Sequence, residues 1–251
     1  AAVATVSAQL VVMLVMMVGV FRSKKEENVL KGIRLFEPFS KEELGNICKI
    51  GGPTAIQGMV YCMISMVLTR MVAAFGAEAI ATQRVGGQIE SISWNTADGF
   101  AAALNAFVGQ NYGAKKMDRV QKGYRISFWT VAIWGALIML AFIIFPGPIA
   151  GVFFHEEKAM EIAISYLIII GFSEAFMCVE LMTIGALSGL GKTKLCSVIS
   201  ITATSMRIPL AMVLSRTSLG LDGIWWALTL TSVAKGIIFY LTFRYQMREK
   251  C

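Results

Sequence analysis

Charge is what this chain has least of. Asp, Glu, Lys and Arg make up only 16% of its 251 residues, where a soluble domain carries about a quarter. Hydrophobic residues reach 56% and mean hydropathy is +0.66. So little polar surface cannot wrap a globule of this size without leaving large apolar patches, which excludes a single water-soluble domain and points to a lipid bilayer as solvent. Histidine occurs once, at His155, and by itself supplies neither a zinc site nor a catalytic triad. The five cysteines (48, 62, 178, 196, 251) contain no CxxC pair and are odd in number, so no disulfide framework is expected. Cys62, Cys178 and Cys196 are read as small hydrophobes inside spans. No HExxH and no Ser/His set is present, so the chain is not expected to be an enzyme and has no catalytic residue to assign.

What is present are long apolar runs and 23 glycines, a composition that suits helices packed through small residues. A bilayer core takes about 20 mostly apolar residues per helix. Segments of that kind run over roughly 3–21, 47–75, 79–110, 123–145, 159–189, 194–215 and 222–243, with no soluble domain left over. The expected fold class is therefore all-α, a polytopic membrane protein with about seven transmembrane helices. The first apolar stretch has its basic residues behind it rather than in front, the reverse of a secretory signal. It is read as a span already under way, in a chain truncated upstream.

Seventeen of the 23 Lys and Arg fall in the 22–50 stretch, the 111–125 loop, the 190–195 turn and the C-terminus. The opposite loops hold little beyond Lys158 and Arg216. Alternation of seven spans matches this asymmetry, so the basic side is expected to be cytoplasmic, with the C-terminus inside and the protein in the cytoplasmic (inner) membrane. Basic loops facing anionic lipid account for most of the formal charge of +7. The lipid bilayer, not nucleic acid, is the expected partner.

Ionisable residues inside spans are costly and mark cavities or partner helices. In the third span Arg84, Gln88, Ser91, Asn95, Asp98 and Asn105 recur at three- and four-residue spacing, one stripe down a helix. The stripe reads equally as a helix–helix seam or as the wall of an aqueous path. Glu90 lies off it by about a third of a turn. The fifth span carries Glu174 and Glu180, about 120° apart, so they are not expected to share one small site. A carboxylate among apolar neighbours is costly to keep charged, the property that a proton-coupled carrier requires, and Glu180 is the favoured coupling or substrate-contact residue. Ser197, Ser200, Thr204 and Arg207 share a face of the sixth span and are read as structural, with Arg207 satisfying carbonyls freed by Pro209. Gln57, Tyr61 and Ser65 line a face below Pro53, where a kink is expected to open backbone groups. Lys235 is expected to snorkel or to pair with an acid. The candidates for substrate or coupling ion are thus Glu180, Glu90, Asp98, Glu174, Gln57, Tyr61, Asn95 and Arg84, with no metal site. The run from Ala186 to Thr193 fits a relaxed P-loop pattern, but it ends one apolar helix and begins another, without the strand that a phosphate cradle needs.

Four segments together carry a family resemblance. Gly76 to Ala81, Gly99 to Ala103 and Val108 to Ala114 mark the third span and its exit. Gly51-Gly52-Pro53, the run Gly185 to Thr193, and Arg207-Ile208-Pro209 followed by Gly223-Ile224-Trp225 stand in the matching order. The chain resembles the multidrug and toxic compound extrusion (MATE) family over nearly its whole length. The resemblance implies that 1–21 corresponds to the sixth helix of a twelve-helix transporter, 22–45 to a cytoplasmic interlobe linker and 46–251 to the C-terminal six-helix lobe. It implies a missing N-terminal lobe as partner, and with it a first-helix aspartate that several members use for coupling. It further implies no cofactor, a proton or sodium as coupling ion, and antiport of amphipathic, often cationic, small molecules by alternating access. One branch of the family has a cation-binding acid where this chain has Tyr61, and a tenth-helix aspartate where it has Met177. Sodium coupling by that route is not expected. The runner-up is a lipid-linked oligosaccharide flippase of the same superfamily, whose cavity would call for more basic residues.

Overall fold

A computed structural model describes residues 2–22 and 40–248. Residues 23–39, most of the expected interlobe linker, lie outside the described residues, as do residue 1 and 249–251. The described chain folds into ten α-helices: α1 (Ala2–Arg22), α2 (Lys41–Ala73), α3 (Ala77–Gly113), α4 (Met117–Ile144), α5 (Pro146–Gly151), α6 (Glu157–Gly171), α7 (Glu174–Gly189), α8 (Thr193–Ser205), α9 (Arg207–Leu214) and α10 (Gly220–Arg248). The protein is an all-α polytopic membrane protein. Each of the seven expected segments falls on helix. Among the described residues four spans are both long and apolar enough to cross a membrane: α2, α4, α8 with α9, and α10. A fifth is α6 with α7, bent by 50°. The stretch Val6–Gly19 in α1 is a shorter apolar helix, and α3, 37 residues long, owes its lower apolarity to polar rows described below.

The chain divides into two compact units, Ala1–Asn46 and Ile47–Cys251. In the first, α1 exposes apolar side chains from Val6 to Val18 on every side. A helix apolar all round is suited to lipid. The second unit holds the packed core, and α4 shows its logic. Ile126, Trp129, Ile133, Leu137, Leu140 and Ile144 point outward at three- and four-residue spacing, while Val120, Tyr124, Val131, Gly135 and Phe142 are buried on the other side. Apolar residues occupy both faces because both face apolar surroundings.

Helices α3, α7 and α10 meet backbone to backbone. A methyl group on Gly185 of α7 would collide with the Ala101 backbone of α3, and one on Gly189 would stand 2.6 Å from the Asn105 carbonyl oxygen. On the other side, a methyl on Gly236 of α10 would stand 2.6 Å from the Phe176 carbonyl. Small residues at such seams bring helix axes close enough for dense van der Waals contact, the main attraction between helices in lipid.

Helix α2 is continuous through Pro53, where the proline removes its own N–H from the ladder, so no break falls there. Instead the fifth span breaks at Phe172–Ser173, where the Ser173 hydroxyl donates back to the Ile170 carbonyl at 2.8 Å. The sixth breaks at Met206, which places Pro209 in the first turn of α9, where a missing N–H costs no ladder bond. The turns after α3 and α7 are closed alike. Lys115 and Gly191 adopt positive φ (58° and 74°), while Lys116 N–H bonds the Asn111 carbonyl and Lys192 N–H the Leu187 carbonyl, both at 2.9 Å. The P-loop-like run is thus a helix C-cap and the start of the next helix.

Candidate functional site

The second unit encloses a cavity of about 640 Å³ lined from α2, α3, α6, α7, α8, α9 and α10. On its wall lies an ion pair. Gly236 lets α10 lie against the α7 backbone, and the neighbouring Lys235 reaches Glu180, its Nζ donating to Oε1 at 2.7 Å. The two side chains are only 9% and 6% exposed, so neither snorkels to an aqueous face. One turn earlier on α10, Thr231 and Ser232 receive the guanidinium of Arg207: Nε donates to Thr231 Oγ1 at 3.1 Å and Nη2 to Ser232 Oγ at 2.9 Å. Arg207 thus holds α9 to α10 through two hydroxyls rather than through carbonyls freed by Pro209. It has no salt-bridge partner among the described residues.

Across the cavity stands Glu90 of α3, whose Oε1 accepts a hydrogen bond from the Tyr166 hydroxyl of α6. Tyr166 fits there because Gly86, one turn before Glu90, has no side chain; a methyl group at that position would run into the ring. The far edge of the ring is fixed by Trp225, edge to face at 5.0 Å. Gln57, Tyr61 and Ser65 of α2 complete the wall, with Ser200 and Thr204 of α8.

Five of the eight expected residues are therefore buried or cavity-lining. Glu180, Glu90, Gln57 and Tyr61 line the cavity. Glu174 is fully buried beside it, with no hydrogen bond to either carboxylate oxygen, while Ser93 on α3 bonds instead to the Cys178 sulfur at 3.3 Å. Arg84, Asn95 and Asp98 lie outside the cavity with exposed side chains. The reason is helical phase. Thr82, Gly86, Ile89 and Ser93 are the buried row; Gln83, Gly87, Glu90 and Trp94, one residue on, face the cavity; and of the row one residue further Arg84, Gln88 and Asn95 face outward, while Ser91 still reaches the cavity. Each step turns the helix by about 100°. Gln83, Trp94 and Tyr166 were missed by sequence reading, though the register of Glu90 points to the first two.

A second cavity, about 400 Å³, lies where the start of α3 meets the segment before α6, against Glu78, Phe154 and His155. Among the described residues no three His, Cys, Asp or Glu side chains converge to hold a metal ion.

A family model described as MatE matches residues 53–213. Similar curated proteins include a probable multidrug resistance protein NorM of Thermotoga maritima, 28% identical over 257 residues that cover 99% of this chain and 54% of the relative. Another is the probable multidrug resistance protein YoeA of Bacillus subtilis, 25% identical over 99% of this chain and 54% of the relative. The chain spans about half the length of the curated relatives it matches. Among solved structures, MATE in complex with MaL6 aligns with a TM-score of 0.86 at 21% identity, over 99% of this chain and 56% of that one. The bent form of the Vibrio cholerae MATE transporter VcmN aligns with a TM-score of 0.77 at 20% identity, over 86% and 50%.

Proposed function

The chain belongs to the MatE family of multidrug and toxic compound extrusion transporters, and from that premise we propose that it serves as the C-terminal six-helix lobe, with one preceding helix, of a cation-coupled antiporter that exports amphipathic small molecules. On this reading residues 1–21 are the sixth helix, 22–45 the interlobe linker and 46–251 the lobe. A second lobe completes the central path, and the basic loops and the C-terminus face the cytoplasm across the inner membrane.

The observation that carries the reading is the Glu180–Lys235 pair, largely buried and 2.7 Å apart on the wall of a cavity of drug-sized volume. A buried carboxylate held by a single cation is a two-state element. A proton or sodium ion arriving at Glu180 competes with Lys235, and release of the ammonium changes how α7 and α10 are tied together. Substrate and coupling ion then need never touch; they act on one ion pair by turns. The names of the relatives, two of which are called probable multidrug resistance proteins, support an amphipathic cargo. The lining sets two bases, Arg207 and Lys235, against two acids, Glu90 and Glu180, short of the basic excess that a flippase would call for.

The test uses the protein at its natural full length, in a host lacking its own efflux pumps, with a panel of amphipathic dyes of either charge. Wild type lowers dye accumulation under an imposed proton or sodium gradient. Glu180→Gln, which leaves Lys235 without its counter-ion, is expected to abolish gradient-driven efflux while the protein still inserts. Efflux at the wild-type rate in that variant would dismiss Glu180 as the coupling group.

A further inference from the structure

Among the described residues, the buried core and main cavity of the second unit hold five acidic or basic side chains. On the lining, Glu180 meets Lys235 at 2.7 Å, and Glu90 lies within electrostatic reach of Arg207. Those two acids and two bases balance. Glu174, behind the lining and just past the bend of the fifth span, is a third acid with no base of its own. It is 0% exposed, its carboxylate oxygens make no hydrogen bond of ordinary geometry, and the formal charge that acts on it is the like charge of Glu90. Each element packed against it offers a neutral group or an acid. Helix α3 brings the Ser93 hydroxyl and Glu90, α6 brings Tyr166, and Cys178 lies one turn on along α7, bonded to Ser93. Helices α4 and α10 meet this turn of α7 through Gly135 and Gly236. The positive end of α7 offsets part of the charge. Three acids against two bases still leave one negative charge over, and a lone buried charge is costly.

The hydrogen bonds are short by the same amount. An ionised carboxylate only accepts, and here two acceptors go without a donor. A carboxylic acid has one O–H to give, and the Ser93 oxygen and the Glu90 carboxylate are acceptors beside it. One proton supplies both needs. A hard metal cation takes about six oxygen ligands, and among the described residues no three acid, histidine or cysteine side chains converge.

We propose that Glu174 is a proton seat, carrying one exchangeable proton that reaches it from the cavity by way of Glu90. The Tyr166 hydroxyl holds one Glu90 oxygen and leaves the other as the relay atom. A proton from the cavity bonds to that oxygen. An O–H then forms at Glu174 as the one at Glu90 breaks, and Glu90 is left a carboxylate facing Arg207 once more. The seat is separate from Glu180 and follows from the charge count whether or not the lobe transports; on the transport reading above, it is where a coupling proton rests.

Infrared spectra of the purified full-length protein in lipid bilayers, taken near neutral pH, test the seat. Wild type is expected to show a carboxylic-acid C=O band that Glu174→Gln lacks, with folding retained because Gln matches the neutral acid in shape. A wild type without any such band would overturn the proposal with no variant needed, and so would identical spectra for wild type and Glu174→Gln. On transfer to heavy water the band shifts as O–H becomes O–D. Glu90→Gln is expected to leave the band in place and slow that shift about a hundredfold, the lower end of what a positioned acid–base group contributes. Tyr166→Phe frees the relay carboxylate and slows it less. A shift at the wild-type rate in Glu90→Gln would overturn the route from the cavity. Radiolabelled sodium bound by wild type and lost in Glu174→Gln would give the seat to a metal ion and overturn the proton. A band present in a protein that moves no dye sinks the transport reading and leaves the seat, and dye efflux without the band does the reverse.

Discussion

Glu174 and Glu180 sit on one helix, six residues apart, and are 0% and 5% exposed. Glu180 faces α10, where Gly236 admits the neighbouring helix and Lys235 supplies a cation at 2.7 Å. Glu174 occupies the first turn of α7, just past the 50° bend, where Gly135 of α4 presses on the Glu174 and Ala175 backbone. Its carboxylate oxygens make no hydrogen bond of ordinary geometry; the Ser93 hydroxyl of α3 and the positive end of the α7 dipole stand nearby. The same residue type at nearly the same depth is thus served by two different devices, a dedicated counter-ion and a helix terminus. Only the first can be switched by moving one partner.

The largest way to break this comparison is to strand Glu180. Lys235→Met is expected to cost about 3–5 kcal/mol of stability, because it leaves a buried charge alone. Lys235→Met combined with Glu180→Gln should recover most of that loss. Thermal unfolding of the purified protein in detergent reads both, and a double variant no better than the single one would deny that charge is the issue. A smaller effect is expected at the other acid. Glu174→Gln loses no hydrogen bond and should shift stability by less than about 1 kcal/mol. A loss as large as that of Lys235→Met would mean that Glu174 has a partner of equal weight, and the contrast would collapse. Smallest is the surface pair of Lys158 with Glu78, 3.6 Å apart and 74% and 34% exposed. Lys158→Ala should cost at most about 0.5 kcal/mol, and less as salt is raised.

The helical segments were legible because each depends on a local quantity, the length of an apolar run. Their breaks were less so. Pro53 and Pro209 look alike in the sequence, yet one lies within a continuous helix and the other follows a break. The site was half legible in the same way. Periodicity picks out polar rows on α3 but gives no absolute phase, and of three rows a single residue apart, the densest in polar groups sends only Ser91 to the cavity while Arg84, Gln88 and Asn95 face outward. Arg207 and Lys235 illustrate the limit from the other side. Each was noted, but pairing across 55 residues, from Glu180 to Lys235, is a property of which helices touch, and no window along the chain contains it.

The glycine contacts described for α3, α7 and α10 have a mechanical consequence. Helices separated by a layer of side chains can slip, because rotamers give way. Helices meeting at Gly185, Gly189 and Gly236 touch chiefly through backbone, with no more than the Cβ of Val108 or Phe176 beside it, and a shift of one turn would drive a carbonyl into a Cβ. These three act as a keel, a stiff beam that holds the ion pair at fixed spacing. Any opening of the cavity must then be borne by its other planks: α6; α2, unbraced by such contacts at Gly51, Gly52 and Gly58; and the jointed pair α8–α9, which Arg207 pins to α10.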